Sequence, residues 1–203
     1  MRPVSGAKQR LLHTALDLLW QRSYGSISVD DICSQAAVNK GSFYYAFRTK
    51  SELAVAAFET HWNGMRPAMD AAFSSQNDPL VRLDQYCDLV VRDQLERYRA
   101  LGKILGCPFC SLGCELSTQD DAVRAKTREI CDRIIRYLVA TLRDAIAQGV
   151  LPPGVEPDEL GREIFCYRTG VLVQAKIENN PEALNDLKPG LFRHLGLAPV
   201  AGA

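Results

Sequence analysis

From Lys8 to Arg22 the apolar residues Leu11, Leu12, Ala15, Leu16, Leu18 and Leu19 recur at intervals of three and four, which predicts an amphipathic helix with one buried stripe. Tyr24-Gly25 ends it. Ser28-Val29-Asp30-Asp31 then sets a hydroxyl three residues ahead of a carboxylate, a capping-box pattern that opens a short helix to about Ala36. The turn Ala37-Val38-Asn39 leads into a third helix from Lys40 to about Ala46, with Asn39 placed to cap its free amides. Thr49-Lys50-Ser51-Glu52 repeats the capping pattern and starts a longer helix to about Phe73, with a bend expected near Gly64 and Pro67.

Asn77-Asp78-Pro79 breaks this pattern, and helices follow from Pro79 to about Ala100, Cys107 to about Ser117, Gln119 to Gln148, Pro157 to about Glu178 and Pro181 to about Leu195. Gly149 with Pro152-Pro153-Gly154, and Asn179-Asn180-Pro181, are the strongest separators. No hairpin signal, internal repeat or low-complexity segment interrupts them. The expectation is an all-α protein of about nine helices, a helix-turn-helix head over residues 1–48 and a helical body over 49–203.

Composition adds limits. At 203 residues, 47% hydrophobic and 24% charged, the chain is an ordinary globular one, which excludes disordered, collagenous and coiled-coil classes. No run reaches the roughly 18 consecutive apolar residues of a spanning helix, and MRPVSGAKQR has no apolar signal core, so a cytoplasmic protein without membrane contact is expected. The 24 basic and 24 acidic residues cancel overall but are unevenly placed. The first 50 residues carry seven Lys/Arg (Arg2, Lys8, Arg10, Arg22, Lys40, Arg48, Lys50) against three acids, leaving 17 basic and 21 acidic residues for the rest. A basic head on an acidic body suits a polyanion partner at the head.

Three short helices with a tight turn between the second and third hold the third outward, as a major groove requires. On that third helix Asn39, Lys40, Ser42, Tyr44 and Tyr45 supply donors and phenols, and Gly41 lets a sugar-phosphate strand approach the backbone closely. Phe43 and Phe47, four apart, turn inward. Adjacent Tyr44 and Tyr45 cannot both enter one core, so at least one is exposed. Lys50 adds a phosphate-directed ammonium at the start of the next helix.

The run SISVDDICSQAAVNKGSFYYAFRTKSELAVAAF resembles the helix-turn-helix signature of the TetR family of transcriptional repressors at Ser28, Ile32, Ala36, Val38, Gly41, Tyr44, Phe47, Lys50 and Leu53. It departs at Cys33, where a small Ala is usual and which is read as a packing residue, and at Tyr45, where His is frequent. The resemblance implies a homodimer on a palindromic double-stranded DNA operator, one head per half-site, with no enzymatic activity and no cofactor. Carried over, Ser28, Asn39, Lys40, Gly41, Ser42, Tyr44, Tyr45 and Lys50 form the DNA-contacting set. Tyr44, Tyr45 and Lys50 would bind phosphates, and Lys40 and Ser42 would face base edges. The late segments 159–178 and 183–195 would form an intersubunit four-helix bundle.

Seven cysteines, an odd number without a secretion signal, are expected as free thiols. Three of them, Cys107, Cys110 and Cys114, share eight residues and one face of the helix expected there. Cys107, at the positive end of that helix, is the candidate reactive thiol. Three readings stand side by side: an electrophile or oxidant sensor, a metal site lacking the usual fourth ligand, and packing residues in a helix junction. A thiol-disulfide or metal-handling protein using the three thiols is the alternative function. However, Cys107-Pro-Phe-Cys110 lacks the βαβ context of a dithiol oxidoreductase. Ile104-Leu105-Gly106-Cys107 with Glu115, and Gln174-Ala175-Lys176-Ile177, are similar to an electrophile- and hypochlorite-responsive subgroup of the TetR family, which implies Cys107 as sensor and Lys176 as its partner. A small organic effector is also open. Trp62, Tyr86, Phe109, Tyr137, Phe165 and Tyr167 read as core before ligand wall, and Arg97, Arg99 and Arg168 as surface ion pairs before an anion site. No bound metal is expected.

Overall fold

The computed structural model describes residues 6–197, so Arg2 of the basic head lies outside the described residues. Among the described residues there are nine α-helices and no strand: α1 Gly6–Gln21, α2 Val29–Gln35, α3 Lys40–Ala46, α4 Lys50–Ala72, α5 Pro79–Leu101, α6 Pro108–Leu116, α7 Asp121–Ala147, α8 Pro157–Glu178 and α9 Leu187–His194. The all-α reading holds. Helix α4 runs without interruption through Pro67.

Two boundaries differ from expectation. The helix expected from Pro181 to Leu195 is a 3-10 segment, Pro181–Asp186, followed by α9. Pro189 accounts for it: as the third residue of α9 it needs no N–H, whereas inside a helix begun at Pro181 it would remove a hydrogen bond and clash with the preceding turn. The helix expected from Cys107 starts instead at Pro108, which leaves Cys107 just outside it.

Packing groups the chain into two compact units. Of the described residues, one takes 6–65 together with 108–130, and the other takes 66–107 and 131–197. In the first, Leu11, Ala15, Ile32, Phe43, Leu53, Phe58 and Phe109 are buried. Phe109 of α6 meets Phe58 of α4 edge-on, with ring centroids 5.2 Å apart. Gly113 of α6 lies so close to α7 that a Cβ there would be 2.6 Å from Thr127 Cγ2. In the second unit Leu83, Tyr86, Leu138, Ile164, Leu172 and Phe192 are buried. Lys188 of α9 joins Asp84 and Asp88 of α5, each at 2.8 Å.

The head is built by its termini. Ser28 Oγ accepts the Asp31 N–H at 3.1 Å while Asp31 Oδ2 accepts the Ser28 N–H at 2.7 Å, which is the capping box read in the sequence. Helix α2 ends with Ala37 at φ 50°; Val38 N–H donates to Cys33 O at 2.9 Å and Ala37 N–H to Ser34 O at 3.2 Å, a Schellman closure. Arg10 of α1 braces the turn, its Nε donating to Ala36 O at 3.0 Å.

A left-handed alanine costs roughly 1–2 kcal/mol that glycine avoids. Ala37→Gly is therefore expected to stabilise the protein by about 1 kcal/mol in chemical denaturation. The Asp31 carboxyl is held below its ordinary range by the hydroxyl and the N–H of Ser28. A folded pKa below the unfolded one stabilises above the unfolded value and is lost as the pH falls through the folded one. Asp31→Asn should thus lower the melting temperature at pH 7, and the difference from wild type should close in acid below the ordinary carboxylate range.

Candidate nucleic-acid interface and effector region

The exposed side of α3 carries most of the residues expected to touch DNA. Tyr44 is 56% exposed and Tyr45 92%, so both phenols face solvent, while Phe43 and Phe47 are buried beneath them. Asn39 Oδ1 accepts the Ser42 N–H at 2.7 Å, so Asn39 serves as the helix cap. A Cβ on Gly41 would sit 3.3 Å from that same oxygen, so the missing side chain leaves the cap undisturbed as well as opening the backbone. Lys40 extends into solvent and pairs with Asp30 at 2.7 Å, a bond that raises its pKa and that a phosphate or base acceptor can replace. Ser42 is half-buried on the same helix.

Two of the expected contacts are committed inside the head. The Ser28 side chain is taken up by its capping box, donating to Asp31 Oδ2 at 2.6 Å. Lys50 is half-buried; its Nζ donates to Tyr24 O at 2.8 Å and Ile27 O at 2.6 Å and lies 3.8 Å from the centre of the Tyr24 ring. Burial holds its pKa below the ordinary lysine range. Within the head, the Lys50 ammonium closes the carbonyls of the turn that leads into α2. Cys33 is buried, as its packing role required, and burial raises its pKa.

The cysteines differ sharply in environment. None of the seven is in a disulfide; Cys107 is buried, Cys110 half-buried and Cys114 exposed. Among the described residues no group of three His, Cys, Asp or Glu side chains is arranged to hold a metal, so the three thiols do not form a ready ligand set. The segment that delivers Cys107 is pinned by side-chain amides that sequence reasoning missed. Gln94 of α5, only 3% exposed, accepts the Gly106 N–H through Oε1 at 2.8 Å and donates to Gly106 O through Nε2 at 3.2 Å. Asn179, left-handed at the end of α8 with φ 47°, accepts the Ile104 N–H at 2.9 Å and donates to Gly102 O at 3.1 Å. Asn179 had a signal, an Asn ending a helix ahead of a proline; Gln94 had none.

Lys176 of α8 lies over the residue that precedes Cys107. Its stem covers Gly106, since a Cβ on that residue (φ +70°) would meet Lys176 Cδ at 3.3 Å. Burial of the ammonium lowers its pKa, and neighbouring Cys107 acts in the opposite sense, as an anionic thiolate would. Of the body aromatics, Trp62, Tyr86, Phe109 and Phe165 are buried, and Tyr137 and Tyr167 half-buried. Arg97 pairs with Asp93 at 3.2 Å as expected, but Arg168 is only 7% exposed and is no surface residue, because its position on α8 turns it into the apolar side with Ile164 and Leu172. A cleft of about 320 Å³ between α1 and α4 is lined by Leu12, Leu16, Ala57, Thr60 and His61.

Comparison with known proteins agrees with this geometry. Residues 11–57 match the family model of bacterial regulatory proteins of the tetR family, and residues 79–190 match the tetracyclin repressor-like C-terminal domain. The chain is 31% identical over 189 residues to the transcriptional regulator AcuR of Cereibacter sphaeroides, covering 93% of this chain and 84% of that one. It is 26% identical over 188 residues to the HTH-type transcriptional repressor NemR of Escherichia coli, covering 88% of each. The crystal structure of a regulatory protein TetR from Rhodobacter sphaeroides superposes with a TM-score of 0.82 at 30% identity, over 94% of this chain and 99% of that one. A capped, outward-facing third helix within residues 11–57 and an all-helical remainder matching the C-terminal model have one common explanation: the chain belongs to the TetR family of DNA-binding transcriptional regulators.

Proposed function

We propose that the protein is a cytoplasmic, non-enzymatic repressor in which residues 1–48 bind DNA and residues 49–203 dimerise and receive the effector, with the Cys107 thiol as the point of attack for an electrophile or oxidant. Regulators of this family bind operator DNA as homodimers and respond to small-molecule effectors. The observation that carries the DNA-binding part is α3 itself, a capped helix whose Tyr44 and Tyr45 are both exposed beside Lys40 and Gly41. Two such helices about 34 Å apart enter successive major grooves of a palindrome, so a modest change in their separation releases the operator. For dimerisation, α8 exposes Val173 and Ile177, four residues apart, with Cys166 and Gly170 on the same side. Among the described residues no helix is long and apolar enough to cross a membrane.

The sensor reading rests on the neighbourhood of Cys107. Lys176 supplies a nearby positive charge that favours thiolate, and Gln94 holds the adjoining Gly106 from both sides. Burial of the thiol favours a small oxidant over a bulky alkylating agent. One equivalent of hypochlorite transfers chlorine to the thiolate and water displaces chloride, leaving a sulfenic acid that excess thiol reduces through a mixed disulfide, whereas N-ethylmaleimide adds irreversibly.

Tyr45→Ala is expected to weaken binding to the DNA upstream of the gene by about 1–2 kcal/mol at fixed salt, without lowering the melting temperature. In gel-shift titrations, hypochlorite should abolish operator binding by wild type, excess thiol should restore it, and Cys107→Ser should remain bound. Lys176→Met should shift the loss to higher pH by reducing the thiolate fraction. Wild-type binding that ignores both reagents overturns the thiol switch and points to a non-covalent ligand in the body.

A further inference from the structure

The 3-10 turn Tyr24–Ser26, which joins α1 to α2, is gripped from two sides. Its amides meet Glu115 of α6: the Tyr24 N–H donates to Oε2 at 2.9 Å and the Gly25 N–H to Oε1 at 3.0 Å. On the other side, the carbonyls of Tyr24 and Ile27 receive the ammonium of Lys50. Each oxygen of the Glu115 carboxylate serves one amide. Glutamine in its place could accept from only one of them, because its NH₂ end is itself a donor.

Further ties join the same stretch of chain to α4. Asp120, which follows α6, is hydrogen-bonded to Ser51, and Lys126 of α7 reaches Glu59 of α4 at 3.1 Å. Phe109 packs on Phe58 and lies 5.5 Å, centroid to centroid, from His61. By position in the chain α6 belongs to the body, starting one residue after Cys107. By packing it belongs to the compact unit that holds α1, α2 and α3.

We propose that Glu115 is the coupling residue through which the state of α6 is passed to the DNA-binding helices. Its carboxylate holds the turn that sets the direction of α2, and α2 sets α3. The apolar contacts of Phe109 are non-directional and tolerate sliding. A two-pronged, charge-assisted grip has defined distances and angles and is lost within about an ångström of displacement. The proposal rests on the preceding reading only in taking the effector to act on the α6 side of the body; it does not depend on the effector's identity. Coupling of this kind is reciprocal, so operator DNA that immobilises the head must also quiet α6.

Hydrogen–deuterium exchange of the full-length protein tests this, with and without a duplex selected from a random library by the wild type. Operator should slow exchange across Pro108–Leu116 by about fivefold or more in wild type. In Glu115→Ala, with the protein concentration raised until the same duplex is equally occupied, the slowing should vanish, and Glu115→Gln should keep part of it. No operator-dependent change in wild-type α6, or an equal change in Glu115→Ala, overturns the proposal. In a second arm both proteins are treated with hypochlorite to the same extent of Cys107 modification, verified by mass. Measured against its own untreated affinity, wild type should lose the duplex and Glu115→Ala should show no further loss; an equal loss in both overturns coupling through Glu115. If wild type ignores the reagent, the Cys107 reading falls and the exchange arm alone decides on Glu115. Should Glu115→Ala not fold, judged by its melting curve, Glu115→Gln carries both arms.

Discussion

The presentation of α3 depends on the backbone polar groups of two short turns that have no regular structure to satisfy them. The turn after α1 offers amides and carbonyls that a charged side chain takes on each side, Glu115 and Lys50. The turn after α2 closes on itself through Ala37 and Val38, and Arg10 takes the Ala36 carbonyl it leaves open. These bonds are exposed or part-buried, so each of these side chains fixes a local direction more than it adds stability. The outward face of α3 follows from them: once Phe43 and Phe47 are seated, Tyr44 and Tyr45 have no direction left but solvent.

The same economy shapes the region around Cys107. Residues 102–107 form no helix, and their backbone groups are met by the carboxamides of Gln94 and Asn179. Gly106 is left-handed and lies beneath the Lys176 stem, so a larger residue there would meet both backbone strain and a steric neighbour. The thiol that follows is therefore delivered beside Lys176. Its two sequence neighbours in the cluster, Cys110 and Cys114, lie in progressively more open surroundings on α6. Three thiols that share a helical spacing need not share a chemistry.

Much of the head was legible in the sequence because its signals are local. Capping boxes, the Asn39 cap, the inward Phe43 and Phe47 and the exposed tyrosines depend on residues within four positions of one another, and helical periodicity reports these directly. The nine helices were legible for the same reason. The exception near Pro181 shows the limit: apolar spacing continued past Pro189, but the proline's missing N–H decided where α9 could begin.

Local patterning was enough to establish that the chain is helical, that its first 50 residues carry a TetR-type helix-turn-helix, and which face of α3 is left exposed. Tertiary structure alone decided what the long polar side chains do. Lys50, read as a DNA contact, also closes the carbonyls of Tyr24 and Ile27; Glu115 reaches a turn about 90 positions earlier; Gln94 and Asn179 pin a loop across 12 to 77 positions. No sequence period encodes such bonds. Their partners are backbone groups that every residue possesses, so the identity of the partner leaves no trace in the sequence until folding brings the two together.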